Sequence, residues 1–485
     1  MQGILSLDGK ELAAKAWGRL PALRALLRDS AKTLVGEGGI FVAAILLGIL
    51  TARWLGPEGK GYFGVVVGAS GILMTVLTLR FERSVSYFLA SGKAGFGSVV
   101  AMSLLAGVVA LVVSGLVVWT VPGLFLEYVF KGVPLSAVWS SFLVMASVYL
   151  RGVIAAILAG EKKFGLRAWF LGGAYAFETL VAAIGLIGFG CNAWSLLVVI
   201  GVAGILGCCV VLVIMILHSG TPLKINADLL RGMYSFASAG TPAMLSDIVT
   251  VRLDLFLVNY FVGASEAGIY IVSLSFANML SYGPTALKTV LMPHVASSAL
   301  ATPGSMTSRL TRSLVLAVGG LVPLLMLAVH FLLVPVYGEA FAPSWWPFLL
   351  LLPGTVMWLV FGVIGADIEG RGRPGLVSLA SLVAAACTIV LDFLLVPPFG
   401  APGAAIASSI AHSVAGLGGC YIFYRMTGEG IRKQIIPTRD DRNDLIRLTG
   451  DLLGRGQRAL GDRGKWKPKT PAVGAGLEKR IDGRK

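Results

Sequence analysis

Residues 55–63 read Leu-Gly-Pro-Glu-Gly-Lys-Gly-Tyr-Phe, and residues 262–270 read Val-Gly-Ala-Ser-Glu-Ala-Gly-Ile-Tyr. Each stretch follows a long apolar run, and two glycines keep the same spacing within it. Glycine is the residue that a tight turn tolerates best, because it has no Cβ. The pair therefore predicts the same turn after two corresponding apolar segments.

Two further turns repeat in the same order and at nearly the same distance along the chain. Residues 160–165 correspond to 370–375, and Phe189-Gly190 corresponds to Phe399-Gly400. Three ordered matches predict an internal repeat of six membrane helices. Because six is an even number, the two lobes should lie in parallel orientation, related by an axis along the membrane normal, with the substrate path between them.

The composition of the chain excludes a water-soluble protein. Hydrophobic residues make up 56% of the 485 residues, while charged residues make up 13%, about half of the usual share. So few charges cannot coat a water-exposed surface of this size. The chain is predicted to be an all-α integral membrane protein with about twelve spans of roughly 20 residues each, at 34–52, 62–80, 97–119, 136–158, 168–189, 193–217, 232–261, 267–292, 311–335, 345–366, 375–396 and 402–424.

The distribution of basic residues predicts the orientation. All but four of the 40 Lys and Arg residues lie at the termini or in the even-numbered connections between spans. The exceptions are Arg53, Lys60 and Lys131 in odd-numbered connections and Arg252 inside the seventh span. By the positive-inside rule, both termini are expected on the cytoplasmic side. The net charge of +15 is thus an orientation signal, and no nucleic-acid partner is expected.

These observations divide the chain into five predicted parts: a cytoplasmic N-terminal segment (1–33), an N-terminal six-helix lobe (34–217), a cytoplasmic connection (218–231), a C-terminal six-helix lobe (232–424) and a basic cytoplasmic tail (425–485).

Ionisable groups inside membrane spans are costly and are therefore candidates for function. The seventh span carries Asp247, Arg252 and Asp254, and the two acids lie seven residues apart on one helix face. The fifth span carries Glu178, whose carboxyl could take up a proton in a coupled cycle or serve as a buried structural acid. Asp392 in the eleventh span is expected to be structural.

Arginines at the ends of spans form a second set of candidates. Arg80 and Arg83 close the second span, and Arg151 lies near the end of the fourth. Each could instead be an interfacial anchor whose side chain reaches toward lipid phosphates.

The sequence does not favour an enzyme. The connections are too short to hold a domain, and none carries a paired His–Glu metal motif or a catalytic triad. The five cysteines lie in apolar runs without metal-ligand spacing. Neither a metal nor a cofactor is expected.

The turns resemble those of a known family. Residues 55–62 are similar to the first-turn motif of Wzx-type polysaccharide flippases in the multidrug/oligosaccharidyl-lipid/polysaccharide (MOP) superfamily. Residues 254–270 are similar to their span-seven pattern, and Phe-Gly-Ala-Pro-Gly-Ala-Ala at 399–405 is similar to their late turn. The resemblance covers residues 30–425, and the basic tail is not part of it.

The resemblance implies a flippase of the bacterial cytoplasmic (inner) membrane. Its cargo would be an undecaprenyl-diphosphate-linked oligosaccharide, moved from the cytoplasmic to the periplasmic leaflet for surface polysaccharide assembly. Rocking of the two lobes, coupled to an ion, would drive the exchange. The expected partners are this polyprenyl-diphosphate-linked oligosaccharide and membrane lipids, and a polysaccharide polymerase with its assembly machinery is a candidate partner.

On this interpretation, the candidate residues take two roles. Arg252, Arg80 and Arg83 are assigned to the diphosphate and sugar of the cargo, because guanidinium groups suit phosphate oxygens. The acids Asp247, Asp254 and Glu178 are assigned to ion coupling or to holding these arginines.

Three alternatives stay open. A multidrug exporter of the same superfamily would use Asp247 and Asp254 to bind organic cations, although Arg252 would oppose this. A peptidoglycan-precursor flippase would need more cavity arginines and usually additional spans. A membrane glycosyl-polymerase would need a long external loop, which the sequence does not contain.

Overall fold

The computed structural model describes residues 9–120, 131–133, 135–238, 241–281 and 304–443, with 123 and 127. Only the backbone is described for residues 9–37, 135–137, 242, 243 and 247. The helices in these ranges are α1 (Gly9–Thr78), α2 (Phe81–Ala90), α3 (Phe96–Thr120), α4 (Leu135–Gly160), α5 (Phe164–Ala183), α6 (Ala193–Ser219), α7 (Ala227–Ser238), α8 (Thr241–Phe261), α9 (Ala264–Asn278), α10 (Gly304–Tyr337), α11 (Trp345–Gly370), α12 (Pro374–Thr427) and α13 (Ile431–Ile435). The predicted basic tail beyond residue 443 lies outside the described residues.

The protein is a nearly all-helical, multi-span membrane protein. Within the described residues, eight helical segments are long and apolar enough to cross a membrane. Large apolar side chains such as Trp169, Leu206 and Leu394 are mostly exposed on their surfaces. Such an arrangement is unfavourable in water but favourable in hydrocarbon. The precise count of twelve spans, in two repeated lobes, stays a prediction.

Two of the long helices are each interrupted once, at a glycine that the repeat analysis singled out. In α1 the backbone leaves the helical region at Gly56 (φ 67°), and in α12 it does so at Gly400 (φ 61°). These conformations strongly disfavour a side chain with a Cβ. Each interruption leaves enough helix on both sides for two crossings.

The matched turns share their backbone geometry. In each of the three pairs, the corresponding positions have a positive φ angle, and they are Gly56 with Gly263, Lys162 with Gly372, and Gly190 with Gly400. Lysine at one of these six positions shows that the turn, rather than the residue type, is what recurs. The shared geometry supports the predicted repeat.

The first and second copies of the quoted turn pack directly against each other. A Cβ placed on Gly61 would lie 1.7 Å from the carbonyl oxygen of Ala264, and one on Gly268 would lie 2.0 Å from that of Pro57. The two backbones therefore approach more closely than any other residue type would permit. We call this end of the bundle, formed by residues 53–63 and 259–268 with Gly400, the glycine end.

Longer side chains also tie the two halves of the chain together at the glycine end. Lys131 Nζ donates to the carbonyl oxygen of Tyr260 at 2.6 Å, and Asn259 Nδ2 donates to that of Lys131 at 3.3 Å. Arg53 Nη1 donates to the carbonyl oxygen of Pro335 at 2.7 Å. The side chains of Ala52 and Val65 in α1 belong to a core that they share with residues of the C-terminal half. The structure is therefore closed between the halves at this end.

At the opposite end, α7 packs across α2. Ser84 Oγ donates to the carbonyl oxygen of Met233 at 2.7 Å, and the rings of Tyr87 and Phe236 stack with their centroids 4.4 Å apart. The predicted connection at 218–231 thus includes the start of a helix, which continues to Ser238. This helix attaches the middle of the chain to its N-terminal half.

The chain beyond α12 folds back onto α10. Arg312 pairs with Asp441 through Nε–Oδ2 at 2.7 Å and Nη2–Oδ1 at 3.2 Å, and Thr438 also donates to this carboxylate. Burial alone would raise the pKa of Asp441, but the hydrogen bonds from Arg312 and Thr438 outweigh it and lower the pKa to about 2. The carboxylate therefore stays charged throughout the physiological pH range, so that the Arg312–Asp441 pair, which we call the clamp, stays formed.

Candidate functional site

Helix α8 carries three of the six predicted site residues. Arg252 is exposed, and it makes no hydrogen bond or salt bridge with any residue that the structure describes. Asp254 is 2% exposed, since a separation of two residues turns it to a different face of the helix. Asp247 lies within α8, but its side chain is outside the described atoms. The cation of this helix is thus accessible, whereas the nearby acid is enclosed.

Asp254 is held by groups from three helices. Tyr270 of α9 donates its hydroxyl to Oδ2, and Ser408 of α12 donates to the same oxygen at 3.0 Å. The backbone N–H of Leu255 donates to Oδ1 at 2.7 Å. Three donors fix the orientation of a carboxylate and stabilise its negative charge. No basic side chain in the described residues forms a salt bridge with it.

A second acid lies close to this group. Asp392 of α12 is 0% exposed, and it is near enough to Asp254 for the two carboxyl groups to interact electrostatically. Neither oxygen of Asp392 has a hydrogen-bond partner in the described structure. A buried polar group without a partner is unusual in a folded protein. The sequence analysis expected a structural role for Asp392, yet among the described residues no hydrogen bond holds its carboxyl group.

The buried acid of the N-terminal half, Glu178, differs from Asp254 and Asp392 because it forms a salt bridge. Glu178 Oε2 of α5 accepts from Arg151 Nη1 of α4 at 2.5 Å, and Ser147 Oγ lies 3.4 Å from Oε1. The Arg151 guanidinium also lies over the ring of Tyr175, 4.5 Å from its centroid. Arg151 is therefore a buried ion-pair partner rather than the interfacial anchor that its position near a helix end allowed. A Cβ on Gly204 of α6 would lie 2.0 Å from Ser147 Oγ, so a larger residue there would force the Ser147 hydroxyl to move.

Arg80 and Arg83 lie at the other end of the bundle from Gly56. Arg80 is half-buried in a left-handed conformation (φ 56°) at the start of α2, and Arg83 is exposed one turn later. Arg252, by contrast, is halfway along α8. The structure thus puts the three predicted arginines at two different depths rather than in one cluster.

Two solved structures of membrane proteins share the fold of this chain. The lipid II flippase MurJ in an inward closed conformation superposes with a TM-score of 0.62 at 14% sequence identity, covering 80% of this chain and 87% of that one. The Vibrio cholerae MATE transporter VcmN superposes with a TM-score of 0.57 at 13% identity, covering 83% and 96%. The chain therefore has the fold of the MOP transporters and flippases.

Sequence comparison narrows the likeness within this class. Residues 173–344 match the family model described as polysaccharide biosynthesis protein. The probable low-salt glycan biosynthesis flippase Agl15 of Haloferax volcanii is 20% identical over 189 residues, which are 38% of this chain and 40% of that protein. The match thus spans about two fifths of this curated relative. These relatives are named as flippases, transporters and a biosynthesis family rather than as individual enzymes.

Proposed function

We propose that this protein is a flippase that carries a polyprenyl-diphosphate-linked oligosaccharide across the cytoplasmic membrane for surface polysaccharide assembly. The undecaprenyl carrier is the one expected in a bacterium. The two halves of the chain would act as six-helix lobes that rock about the path between them, within a total of about twelve spans. Both termini would lie in the cytoplasm, so that the glycine end faces the periplasm.

The observation that carries this proposal is the exposed charge of Arg252 halfway along α8, the helix that lies within the predicted seventh span. A cation at this depth is costly unless it faces water or an anion. A diphosphate head group supplies the anion, and guanidinium binds phosphate oxygens with two parallel hydrogen bonds. An exporter of organic cations would be opposed by the same charge. Arg80 and Arg83 would meet the diphosphate earlier, at the cytoplasmic end.

The closed glycine end supports a cycle of alternating access. The structure has the halves in contact at this end, through the Gly61 and Gly268 turns and the Lys131–Tyr260 hydrogen bond. A cargo head group that entered from the cytoplasm could leave only after these contacts separate. The bound form would therefore have to open the glycine end toward the periplasm.

We further propose that Asp254 and Asp392 bind the coupling ion. Two buried carboxyl groups that are close enough to interact electrostatically repel each other when both are charged, and no described basic side chain forms a salt bridge with either. A proton or a monovalent cation between them would offset this repulsion. Loading and release of the ion would then alter the contacts among α8, α9 and α12. Asp247 is retained as a further candidate on α8.

Glu178 is less suited to ion coupling than its sequence position suggested. Its charge is already balanced by Arg151 at 2.5 Å. Removing either partner would leave an uncompensated buried charge, which costs more than the pair itself contributes. We therefore propose a structural role for this pair within the N-terminal half.

The test uses a strain from which the gene has been deleted. Complete lipid-linked oligosaccharides should accumulate in its membranes while surface polymer is lost, and the wild-type gene should restore both. At equal expression, Arg252→Gln should fail to restore the polymer, Arg252→Lys should restore part of it, and the adjacent exposed control Val251→Ala should restore all of it. Restoration by Arg252→Gln would refute the site but not the function. Normal lipid pools with new sensitivity to cationic drugs would refute the flippase function and favour an exporter.

A further inference from the structure

A cavity of about 470 Å³ lies between the two halves of the chain. One wall is formed by α1, through Ile72 and Leu73, and the other by α8, through Ile248, Leu253 and Phe256, with Phe393 of α12 at its edge. The volume falls within the range of roughly 300–1,000 Å³ that is typical of ligand sites. The cavity therefore lies where the proposed cargo would pass and is large enough to hold part of it.

The walls decide which part of a glycolipid could enter. Apart from Tyr260, every side chain that lines the cavity is aliphatic or is phenylalanine. A sugar ring in such a site would lose its hydrogen bonds to water without replacement, and each lost bond is costly. A hydrocarbon chain loses nothing and gains by burial. The cavity is thus suited to the lipid portion of a cargo and not to its glycan.

Charge at the edge of the cavity indicates what kind of lipid fits. Arg252 lies four residues from Ile248 and four from Phe256, so all three share a face of α8. Its guanidinium is exposed and forms no salt bridge within the described part of the chain. A single-chain lipid with an anionic head could therefore bind with its head at Arg252 and its chain between α1 and α8.

The aromatic groups at the far end limit the cavity along α8. Phe261 packs edge-on against Phe393 with ring centroids 5.9 Å apart, and edge-on against Tyr260 at 5.0 Å. The backbone carbonyl oxygen of Tyr260 in turn accepts a hydrogen bond from Lys131 at the glycine end. The lipid chain would thus be covered on the glycine side while the halves are in contact there, and it would be uncovered when they separate.

We infer that this cavity, lined by Ile72, Leu73, Ile248, Leu253, Phe256 and Phe393, binds the polyprenyl chain of the translocated lipid while Arg252 binds its diphosphate. This inference rests on the proposed function. It assigns the hydrocarbon part of the cargo to a groove between the halves, so that chain and head group cross together rather than the chain staying among bulk lipids.

The experiment uses the full-length protein in nanodiscs of phosphatidylethanolamine and phosphatidylglycerol. One probe is undecaprenyl diphosphate with a benzophenone at the end of its chain, and the other is phosphatidylglycerol with the same group on an acyl chain. After illumination, mass spectrometry of peptides locates the label. The polyprenyl probe should label the peptides that contain Ile72 and Leu253, and excess unlabelled undecaprenyl diphosphate should abolish this labelling.

Substitutions test the walls of the cavity. Leu253→Trp should fill it and reduce labelling by about tenfold, because displacing two methylene groups costs about that much affinity. Ile72→Trp fills the same space from α1. It is the variant to use if gel filtration shows that Leu253→Trp does not fold. Val251→Trp is the matched control, since Val251 lies on the other side of α8 and is 41% exposed. It should leave labelling unchanged.

Arg252→Gln tests the head group separately. It should weaken labelling by the diphosphate probe but leave labelling by the corresponding polyprenol alcohol unchanged. An equal effect on both would overturn the assignment of the head group to Arg252.

Two results would overturn the proposal that the cavity binds the polyprenyl chain. Equal labelling by the phosphatidylglycerol probe, without competition by undecaprenyl diphosphate, would mean that the cavity holds only bulk lipid. Absence of label from both walls would mean that the chain lies elsewhere. If the deletion strain still accumulates lipid-linked oligosaccharide, either result refutes only the assignment of the polyprenyl chain to the cavity, and the proposed flippase function stands. If the strain does not accumulate it while competed labelling persists, the proposed function fails and the lipid site stands.

Discussion

Adding one methyl group at Gly61 should open the glycine end of the protein. A Cβ at this position would lie 1.7 Å from the carbonyl oxygen of Ala264 and 3.0 Å from the backbone nitrogen of Gly268. Both are backbone atoms, so no change of side-chain rotamer can relieve the contact. The two turns would have to move apart until the shorter distance exceeds 3.0 Å.

The magnitude follows from the cost of overpacking, which is about 1–3 kcal/mol. This cost applies only to the state in which the two turns touch. If the protein can adopt a second state with this end open, Gly61→Ala should raise the ratio of open to closed molecules by about 5- to 150-fold. The fold within each half should be unaffected, because the clash lies between the halves.

The assay is the modification of a single cysteine by a maleimide that does not cross membranes. Val65 is 0% exposed beneath the turn and belongs to the core shared by both halves. Val65→Cys, in a background without the five native cysteines, should react slowly in the parent and faster with Gly61→Ala. Gly71→Ala is the matched control on the same helix, since a Cβ there would have no neighbour within 4 Å.

The outcome that would refute this reasoning is specific. If Gly61→Ala leaves the rate of modification unchanged and instead lowers the melting temperature of the whole protein, the contact between the turns is permanent. The glycine end would then not be a gate, and the alternating-access proposal would lose its structural basis. Faster modification with Gly71→Ala as well would show that the effect does not depend on the contact.

Three further predictions concern the buried and clamped charges. Glu178→Gln should destabilise the protein by about 3–5 kcal/mol in unfolding experiments, because it leaves Arg151 buried and unpaired. Exchanging both residues for Met should recover most of this loss of stability. A double variant as unstable as the single one would contradict the ion-pair account. Asp392→Asn should keep the melting temperature but abolish the response of transport in vesicles to an imposed proton or sodium gradient, and a persisting response would move the coupling site away from this acid. The pKa of Asp441 is lowered to about 2 from an ordinary 3.8, so its pairing with Arg312 stabilises the clamp fully above pH 3.8 and is lost as the pH falls through 2. The chain should therefore resist cleavage by trypsin after Lys433 at neutral pH, and the Asp441→Asn variant should be cleaved there. Equal resistance of the variant would disprove the clamp.

The sequence was informative about turns and spans because each depends on neighbouring residues. A glycine that needs a positive φ angle can be recognised locally, and both Gly56 and Gly400 interrupt helices where the repeat indicated. Apolar length likewise reports a membrane span without knowledge of its partners. The helix at Ala227–Ser238 was divided between the predicted connection (218–231) and the predicted seventh span (232–261), since it is short and amphipathic and its packing against α2 depends on contacts made far along the chain.

The partners of the buried charges could not be predicted in the same way. Glu178 and Arg151 lie on different helices, and no spacing rule links residues across a helix interface. The donors to Asp254 come from Tyr270 and Ser408, which are ordinary residues in apolar runs. Asp392 offered one signal, an acid in the middle of a span. The sequence analysis expected a structural role for it, and only the fold shows that it is near enough to Asp254 for the two carboxyl groups to interact electrostatically.

The two halves therefore share their turns, but the surroundings of Glu178 differ from those of Asp254 and Asp392, and this difference argues for a division of work. In the N-terminal half, Glu178 already has its countercharge, so binding a further cation would require breaking a 2.5 Å ion pair. In the C-terminal half, Asp254 accepts hydrogen bonds but forms no salt bridge, and Asp392 has no hydrogen-bond partner among the described residues. A bound cation would therefore add a countercharge without displacing one. Asp254 also shares α8 with Arg252, two residues away. An ion that entered the acidic pair would change the field at this arginine directly, whereas an ion in the N-terminal half would act only through the interface. Coupling between an ion and an anionic cargo is thus most direct through α8, where Arg252→Gln and Asp392→Asn should each uncouple transport from the gradient.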